Sequence, residues 1–355
     1  MKSQLNTNKI IFVAPSLSSF VKNDIVILSK NFNVVLNIYS WNKKYYTPFF
    51  LIHQFYFILR NLRFTKSIFI SFGGYWSLIP AVIGRVFKIP VFIILNGTDC
   101  ASIPPLHYGD LRKFPLKLFC KFSYKLAYEL LPVSKSLVTT KNIYHSDDEF
   151  SFQGYKHFFP KIITKYHILA NGIDEHFWKP IENIDREQSS FITVLSDSQF
   201  VLKGGPLIIE LAKQLTNCKF YFAGLNKMDY LEELPSNVFF LGKLTPENLR
   251  HYYLSSQYYL QLSVYEGFGV SLCEAMLCEC IPIGSSVNII PEIIGDSGFI
   301  LEKESIDELV FLVKTVMKIE NKRKQQDKAR NRIIENYNLQ RRAEEMLDLI
   351  EQIIN

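Results

Sequence analysis

Ser263-Val264-Tyr265-Glu266-Gly267-Phe268-Gly269-Val270-Ser271-Leu272-Cys273-Glu274-Ala275-Met276 decides how the rest of this 355-residue chain is read. It sets two carboxylates, Glu266 and Glu274, eight residues apart, with a glycine-flanked turn between them. Upstream, Gln257–Leu262 reads as a buried strand; downstream, Val270–Glu279 carries helical apolar spacing. Glu266 is therefore expected at the carboxyl end of a strand, the edge at which open α/β sheets bind ligands. Glu274 is expected just over a turn into the helix. The helix start offers unpaired N–H groups and a positive dipole end above Gly267, Phe268 and Gly269. A phosphate suits that position, and the two carboxylates suit sugar hydroxyls. A glutamate pair at this spacing is common, and one in a first helical turn often serves only the dipole. The flanking glycines and the preceding strand give this pair its weight.

Working outward, strand-like and helix-like segments alternate along the chain. In the first half Lys9–Ala14, Asn33–Tyr39, Ser67–Ser71, Val91–Leu95 and Leu130–Val133 read as short strands. Val21–Lys30, Ser77–Phe87 and Leu111–Tyr128 read as helices. The second half repeats the pattern with strands at Phe191–Leu195, Lys219–Ala223, Val238–Leu241, Tyr258–Leu262 and Ile281–Gly284. Such alternation predicts an α/β fold of parallel sheets with helices on both faces. The length exceeds what one core usually supports, so two domains are expected. The break is placed near Asn171–Pro180, with polar Glu182–Ser190 as linker.

Six cysteines show neither a C-x-x-C pair nor zinc spacing and read as reduced core residues of a cytoplasmic protein. Ile10–Ala14 is too short for a signal-peptide core and ends at Pro15 like a first strand. No apolar run reaches the roughly 18 residues of a membrane span. Charge is uneven. Residues 1–180 carry 22 Lys+Arg against 9 Asp+Glu, and the remaining residues 18 against 25, behind an overall net of +6. Lys113, Lys117, Lys121 and Lys125, with Arg112, form a stripe interleaved with Leu116, Leu118, Phe119, Phe122 and Leu126. A basic amphipathic helix of this kind fits an anionic membrane surface, or equally the solvated face of a core helix. No nucleic-acid reading motif accompanies the charge, and neither half carries a G-x-G-x-x-G dinucleotide turn.

The quoted stretch resembles the E-x7-E signature of retaining glycosyltransferases, in the form S-x-Y-E-G-F-G-x-x-x-x-E-A-M. Around it, Ile281-Pro282-Ile283-Gly284, Asn288–Ile294 and Asp296–Leu301 resemble the continuation of that motif. Phe240–Leu249, Lys203-Gly204-Gly205 and Asn171-Gly172-Ile173-Asp174 resemble the preceding strand–turn–helix, the lysine-glycine helix start and the interdomain junction. The resemblance is to glycosyltransferase family 4 and covers roughly residues 130 to 350. It implies the GT-B fold, two Rossmann-like domains facing a central cleft. An acceptor-binding domain would span residues 1–175, with helix 339–355 packed back on it, and a nucleotide-sugar domain residues 176–338. The last two helical segments, Ile306–Ile319 and Gln340–Ile354, would both cross back to the first domain.

The resemblance further implies sugar transfer from a UDP- or GDP-sugar to an acceptor hydroxyl with retention, in surface polysaccharide or glycolipid synthesis. Glu266 would be the catalytic residue that holds a donor-sugar hydroxyl, and Glu274 would bind the ribose. Gly267, Phe268, Gly269 and Val270 would meet sugar and phosphate through their backbone, and Gly242, Lys243 and Leu244 the base. Lys203, a point charge beside Pro206 at a helix start, would neutralise the diphosphate. Neither cofactor nor metal is expected, there being no Asp-x-Asp pair around Asp197. Ser18, Ser19, Asn96 and Asp99 would face the acceptor or sugar. A lipid-linked acceptor would place the protein on the inner face of the cytoplasmic membrane. Three positions depart from the pattern. Ser198 stands where an arginine is usual, Ser18-Ser19 replaces a glycine pair, and Asn96 replaces a histidine; His107 is the nearest substitute in sequence. Two alternatives follow, a non-catalytic nucleotide-sugar-binding protein and a nucleotide-sugar 2-epimerase.

Overall fold

The computed structural model describes residues 8–41, 44–145, 151–181, 184–226 and 234–354. The chain forms two compact units. Unit 1 begins with β1 (Lys9–Ala14), α1 (Ser19–Ser29), β2 (Asn33–Ile38), α2 (Thr47–Asn61), β3 (Thr65–Ser71) and α3 (Tyr75–Phe87). It continues with β4 (Val91–Leu95), α4 (Leu116–Leu126), β5 (Glu129–Pro132), a two-residue ladder of β6 (Thr140–Lys141) with β7 (Phe152–Gln153), and α5 (Tyr155–Phe158). Five strands make one parallel sheet in the order β2-β1-β3-β4-β5. Its centre is apolar on both faces: Ile10–Ala14, Ile68–Ile70 and Val91–Leu95 are buried, the composition expected of parallel strands covered on both sides. Right-handed crossovers put α1 on one face of this sheet and α2, α3 and α4 on the other. The contacts agree, with α2 against α3, α3 against α4, and α1 against the C-terminal helix α12 (Leu339–Ile354).

Unit 2 runs β8 (Glu187–Val194), α6 (Gly205–Gln214), β9 (Lys219–Ala223), β10 (Val238–Gly242), α7 (Pro246–Ser255), β11 (Ser256–Gln261) and α8 (Val270–Leu277). There follow β12 (Ile281–Ser285), α9 (Ile290–Ile294), β13 (Phe299–Leu301), α10 (Ile306–Met317) and α11 (Lys322–Asn336). Its parallel sheet has the order β10-β9-β8-β11-β12-β13, the doubly wound arrangement whose strand order reverses at β8/β11.

Several expectations need correcting. Of the linker expected over Glu182–Ser190, Glu182 and Asn183 lie outside the described residues, and from Glu187 the chain is already in β8. The first domain does not run unbroken to 175. Described residues between Asn142 and Ser151 group with unit 2, as does the chain from Ile173, because the Asn142 amide donates to the Val264 carbonyl at 2.7 Å. Helix α10 does not cross back; it packs on α6, burying Leu309, Val310, Val313 and Val316. Only α12 returns to unit 1. There Arg342, 2 % exposed, grips Asp24 with Nε to Oδ1 at 2.6 Å and Nη2 to Oδ2 at 2.8 Å. Its Nη1 donates to the carbonyls of Leu169 and Ala170. Two helices unread in the sequence, α2 and α11, complete the layers.

Candidate active site

The strand order of unit 2 reverses at β8/β11, the place where doubly wound sheets bind ligands beyond the carboxyl ends of their strands, and the chain leaving each strand delivers one charged residue there. After β8 a 3-10 turn, Asp197–Gln199, leads to Lys203 and Gly204. Gly204 has φ +74°, and a Cβ on it would meet the Leu262 carbonyl oxygen at 2.2 Å. The Val264 N–H donates to Leu202 O at 2.9 Å. The two loops therefore touch, and only glycine permits it. That approach sets the Lys203 ammonium directly on Glu266 Oε2.

Both partners are nearly enclosed, their side chains 13 % and 11 % exposed. Glu266 also accepts from Gln261 Nε2 at 2.8 Å and, at Oε1, from the Gly267 N–H at 3.2 Å. Gln261 is itself held: its Nε2 donates to Ser263 Oγ at 2.8 Å, and its Oε1 lies 2.9 Å from the Tyr259 hydroxyl, which also reaches Ser271 Oγ. A polar ladder thus runs from the β11 interior to Glu266 and fixes its rotamer, the pre-organisation an electrostatic site needs. On the far side Asn288 Oδ1 accepts from the Glu266 N–H at 3.3 Å, and its Nδ2 is buried with no protein partner.

Gly269, at φ +98°, turns the chain into α8. The Phe268 side chain points into the core, edge-on to Tyr337 at 5.6 Å between ring centroids, which leaves its backbone for the site edge. Glu274 lies on the buried side of α8, 9 % exposed. Burial pushes its carboxyl up to about 8, with the Tyr253 hydroxyl pulling it partly back. After burial itself, the charges of Glu274 and Glu266 both raise the Tyr259 hydroxyl and the Cys273 thiol, so the two carboxylates act on one neighbourhood. Gly242, at φ +63°, ends β10 on the same sheet edge, two strands from β8. Its carbonyl accepts from Gly224 N–H at 2.7 Å. Lys243 is exposed and Leu244 half-buried.

In unit 1 the corresponding sheet edge carries the other candidates. Ser18 caps the start of α1 with its Oγ buried and unpartnered, and Ser19 is exposed. Asn96 donates to Ser71 Oγ and Ile94 O, leaving Oδ1 buried without a partner. Asp99 is fully buried. Its carboxylate accepts the N–H groups of Gly73, Asn96 and Gly97 at 2.8 to 3.1 Å, while burial pushes it up to about 6. Asp99 is thus a staple between two loops. His107 is exposed, its carbonyl accepting from Arg112. Ser198, at the usual arginine position, faces Ser196 at the surface. No cluster of His, Cys, Asp and Glu able to hold a metal occurs among the described residues. The six cysteines are free and buried.

Sequence reading passed over Gln261, Tyr259, Tyr253, Asn288 and Asn142. One signal was available: Gln257 and Gln261 sit in a strand otherwise apolar enough to be fully buried, and buried amides have partners.

Solved structures share this architecture. Sucrose-phosphate synthase of Thermosynechococcus elongatus aligns over 98 % of this chain and 99 % of its own, with a TM-score of 0.72 at 11 % identity. Anabaena HepE in complex with UDP-glucose aligns over 97 % and 99 %, with a TM-score of 0.70 at 14 % identity. The fold is that of the GT-B glycosyltransferases. Within it, residues 177–336 match the family model described as Glycosyl transferases group 1. Among curated proteins, the O-antigen chain mannosyltransferase B of Escherichia coli is 33 % identical over 70 residues, 20 % of this chain and 18 % of its own length. A probable sucrose-phosphate synthase of Thermosipho melanesiensis is 22 % identical over 256 residues, 65 % of this chain and 58 % of its own. The matches thus span from under a fifth to somewhat over half of those relatives.

Proposed function

We propose that the protein is a retaining glycosyltransferase that moves a sugar from a nucleotide-diphosphate sugar to an acceptor hydroxyl. The observation that carries this is the Lys203–Glu266 pair, seated at the strand-order reversal of unit 2 and braced from behind by Gln261. A diphosphate at the start of α8 competes with Glu266 for the Lys203 ammonium. Lys203 then neutralises charge building on the departing diphosphate, and Glu266 keeps its rotamer, with Oε2 still accepting from Gln261, and offers the lone pair that Lys203 vacates on that oxygen to a hydroxyl of the donor sugar. Backbone groups of Gly267 to Val270 and the helix dipole add to the anion site. Asn288 Nδ2, a buried donor without a partner, is suited to a phosphate or sugar oxygen. Glu274 accepts the ribose hydroxyls, and Gly242, Lys243 and Leu244 border the base.

No metal is required in this scheme, because lysine, N–H groups and dipole supply the positive charge. The relatives with known names include a mannosyltransferase of O-antigen chains and a phosphatidylinositol N-acetylglucosaminyltransferase subunit. They favour a surface-glycan or lipid-linked acceptor at the cytoplasmic face of a membrane. No helix among the described residues is long and apolar enough to span one.

Thermal denaturation with UDP and with GDP, both without metal, tests the donor site. One of them is expected to raise Tm, and Glu274→Ala to abolish the rise. A panel of UDP- and GDP-sugars, followed by released nucleotide and by the anomeric configuration of the product, then tests transfer. Failure of both nucleotides to shift Tm would leave a scaffold that has kept only the fold; nucleotide binding without transfer to any acceptor would leave a non-catalytic binder.

A further inference from the structure

The outer helical layer of unit 1 has an unusual surface. From Ile25 to Thr98 the chain contains no aspartate or glutamate, against eight lysines and arginines. From Leu111 to Tyr128 it again contains none, against five. These stretches include α2, α3 and α4, which cover a single face of the sheet. The same layer exposes large apolar side chains in helical stripes. Tyr45, Phe49, Ile52 and Tyr56 are 90, 60, 59 and 66 % exposed along one side of α2 and the turn before it. The opposite side of α2 buries Gln54 and Ile58. Val82 and Val86 continue the surface on α3, and Leu118 and Phe122 on α4, with Phe114 in the turn before it. Of the 25 exposed large hydrophobic residues among those described, 20 belong to unit 1. Scattered exposed apolar residues are ordinary, but contiguous stripes mark a docking face.

The basic residues of α4 divide. Lys113 pairs with Asp110 at 2.9 Å, and Lys117 lies over the Phe158 ring, 5.4 Å from its centroid. Lys121 and Lys125 are exposed beside Phe122, as Arg85 and Lys88 are beside Val86 and Phe87. Apolar stripes rimmed by lysine and arginine, with no acid within α2, α3 or α4, match an anionic lipid surface. Aromatic rings favour the headgroup–acyl boundary, and cations favour the charged headgroups. A second copy of this chain fits poorly, because a two-fold interface would set this basic face against itself.

We propose that α2, α3 and α4 form the surface by which this protein docks on an anionic bilayer, with the Phe49–Tyr56 face of α2 entering the interface. The proposal does not depend on the transfer reaction, although it would bring unit 1 to a lipid-linked acceptor.

Flotation with phosphatidylglycerol–phosphatidylcholine vesicles, against phosphatidylcholine alone, tests it. The full chain should float with the first, weakly with the second, and be released by high salt. Phe49→Ser with Tyr56→Ser should weaken partitioning by about tenfold or more, and Lys121→Glu with Lys125→Glu by about as much. Near-UV circular dichroism and the nucleotide-induced Tm shift monitor folding of each variant. Independently, a Phe49→Trp variant should shift its emission to the blue on anionic vesicles and be quenched by brominated acyl chains. Unchanged flotation of both double variants, or no change in the emission of the Phe49→Trp variant, would overturn the proposal. So would a stable dimer, by sedimentation, that Phe49→Ser dissociates and vesicles do not compete for. A Tm shift with nucleotide but no flotation removes docking alone; flotation without nucleotide binding removes the transferase reading alone.

Discussion

Among the described residues, each unit has one ion pair with both partners largely enclosed, and the two differ in chemistry. Arg342–Asp24 in unit 1 is a fork-to-carboxylate pair with both partners at 2 % exposure or less. The remaining guanidinium nitrogen is engaged by two backbone carbonyls. Nothing about it can exchange without leaving a buried polar group unpaired, so it serves as a fastening. Lys203–Glu266 in unit 2 uses a point charge on a flexible stem, slightly more open, at a ligand-binding edge. Lysine can trade one anion for another by rotating a few bonds; arginine in a matched fork cannot. Under the proposed function, the choice of cation separates holding a fold together from handling a substrate.

Substitutions can break this contrast or sharpen it. Arg342→Ala should have the largest effect, about 3–5 kcal/mol of stability in denaturant titration, since it strands the Asp24 carboxylate. Replacing both partners, Arg342→Met with Asp24→Leu, should not fully restore stability, because Leu169 and Ala170 carbonyls lose their donor. Lys203→Met with Glu266→Gln should behave in reverse. Stability should stay within about 1 kcal/mol of the parent, while turnover falls by about 10²–10³-fold. Full activity in that variant would remove the pair from the reaction.

Glu274 is probed by pH. Its carboxyl is raised from 4.5 to about 8 by burial, so the folded protein binds a proton there that the unfolded chain has released. Stability contributed at this position should therefore decline as pH rises from about 4.5 to 8, and Glu274→Gln should flatten that slope. Ribose hydroxyls donate to the ionised form, so nucleotide affinity should climb with pH and level off above about 8. Glu274→Gln should be weaker and pH-independent. A wild-type affinity flat between about pH 6 and about pH 9, across the raised Glu274 titration, would dissociate Glu274 from the ribose.

Strands were the legible part of the sequence: Lys9–Ala14, Val91–Leu95 and Lys219–Ala223 are found at the residues where their β-branched and aromatic runs begin and end. Such runs are bounded by turn residues and carry their own limits. Helix α2 was not legible, because it carries aromatic and aliphatic residues on a face that is exposed among the described residues, which erases the usual apolar period. Helix α11 failed for the opposite reason. It is highly polar and buries only Gln326, Ala329 and Ile333, so tertiary contact with α8 holds it, not its own pattern. At the site, the Glu266–Glu274 pair and its flanking glycines stand out by spacing, and Lys203 by its resemblance to a lysine-glycine helix start. Gln261 and Asn288 could not, since their roles arise from contacts between strands and loops distant in sequence. Asp99 shows the converse: its neighbourhood was legible, but its burial depends on Gly73 and Tyr124, brought in from another strand and helix.

The closing helix has a consequence for how the molecule comes into being. Asp24 finds its counterion 318 positions further along, so this layer emerges from the ribosome with a carboxylate and the apolar back of α1 awaiting a cover made much later. Until Arg342 arrives, that half is an unfinished module: open to proteases and chaperones, and completed only after the intervening unit has been synthesised.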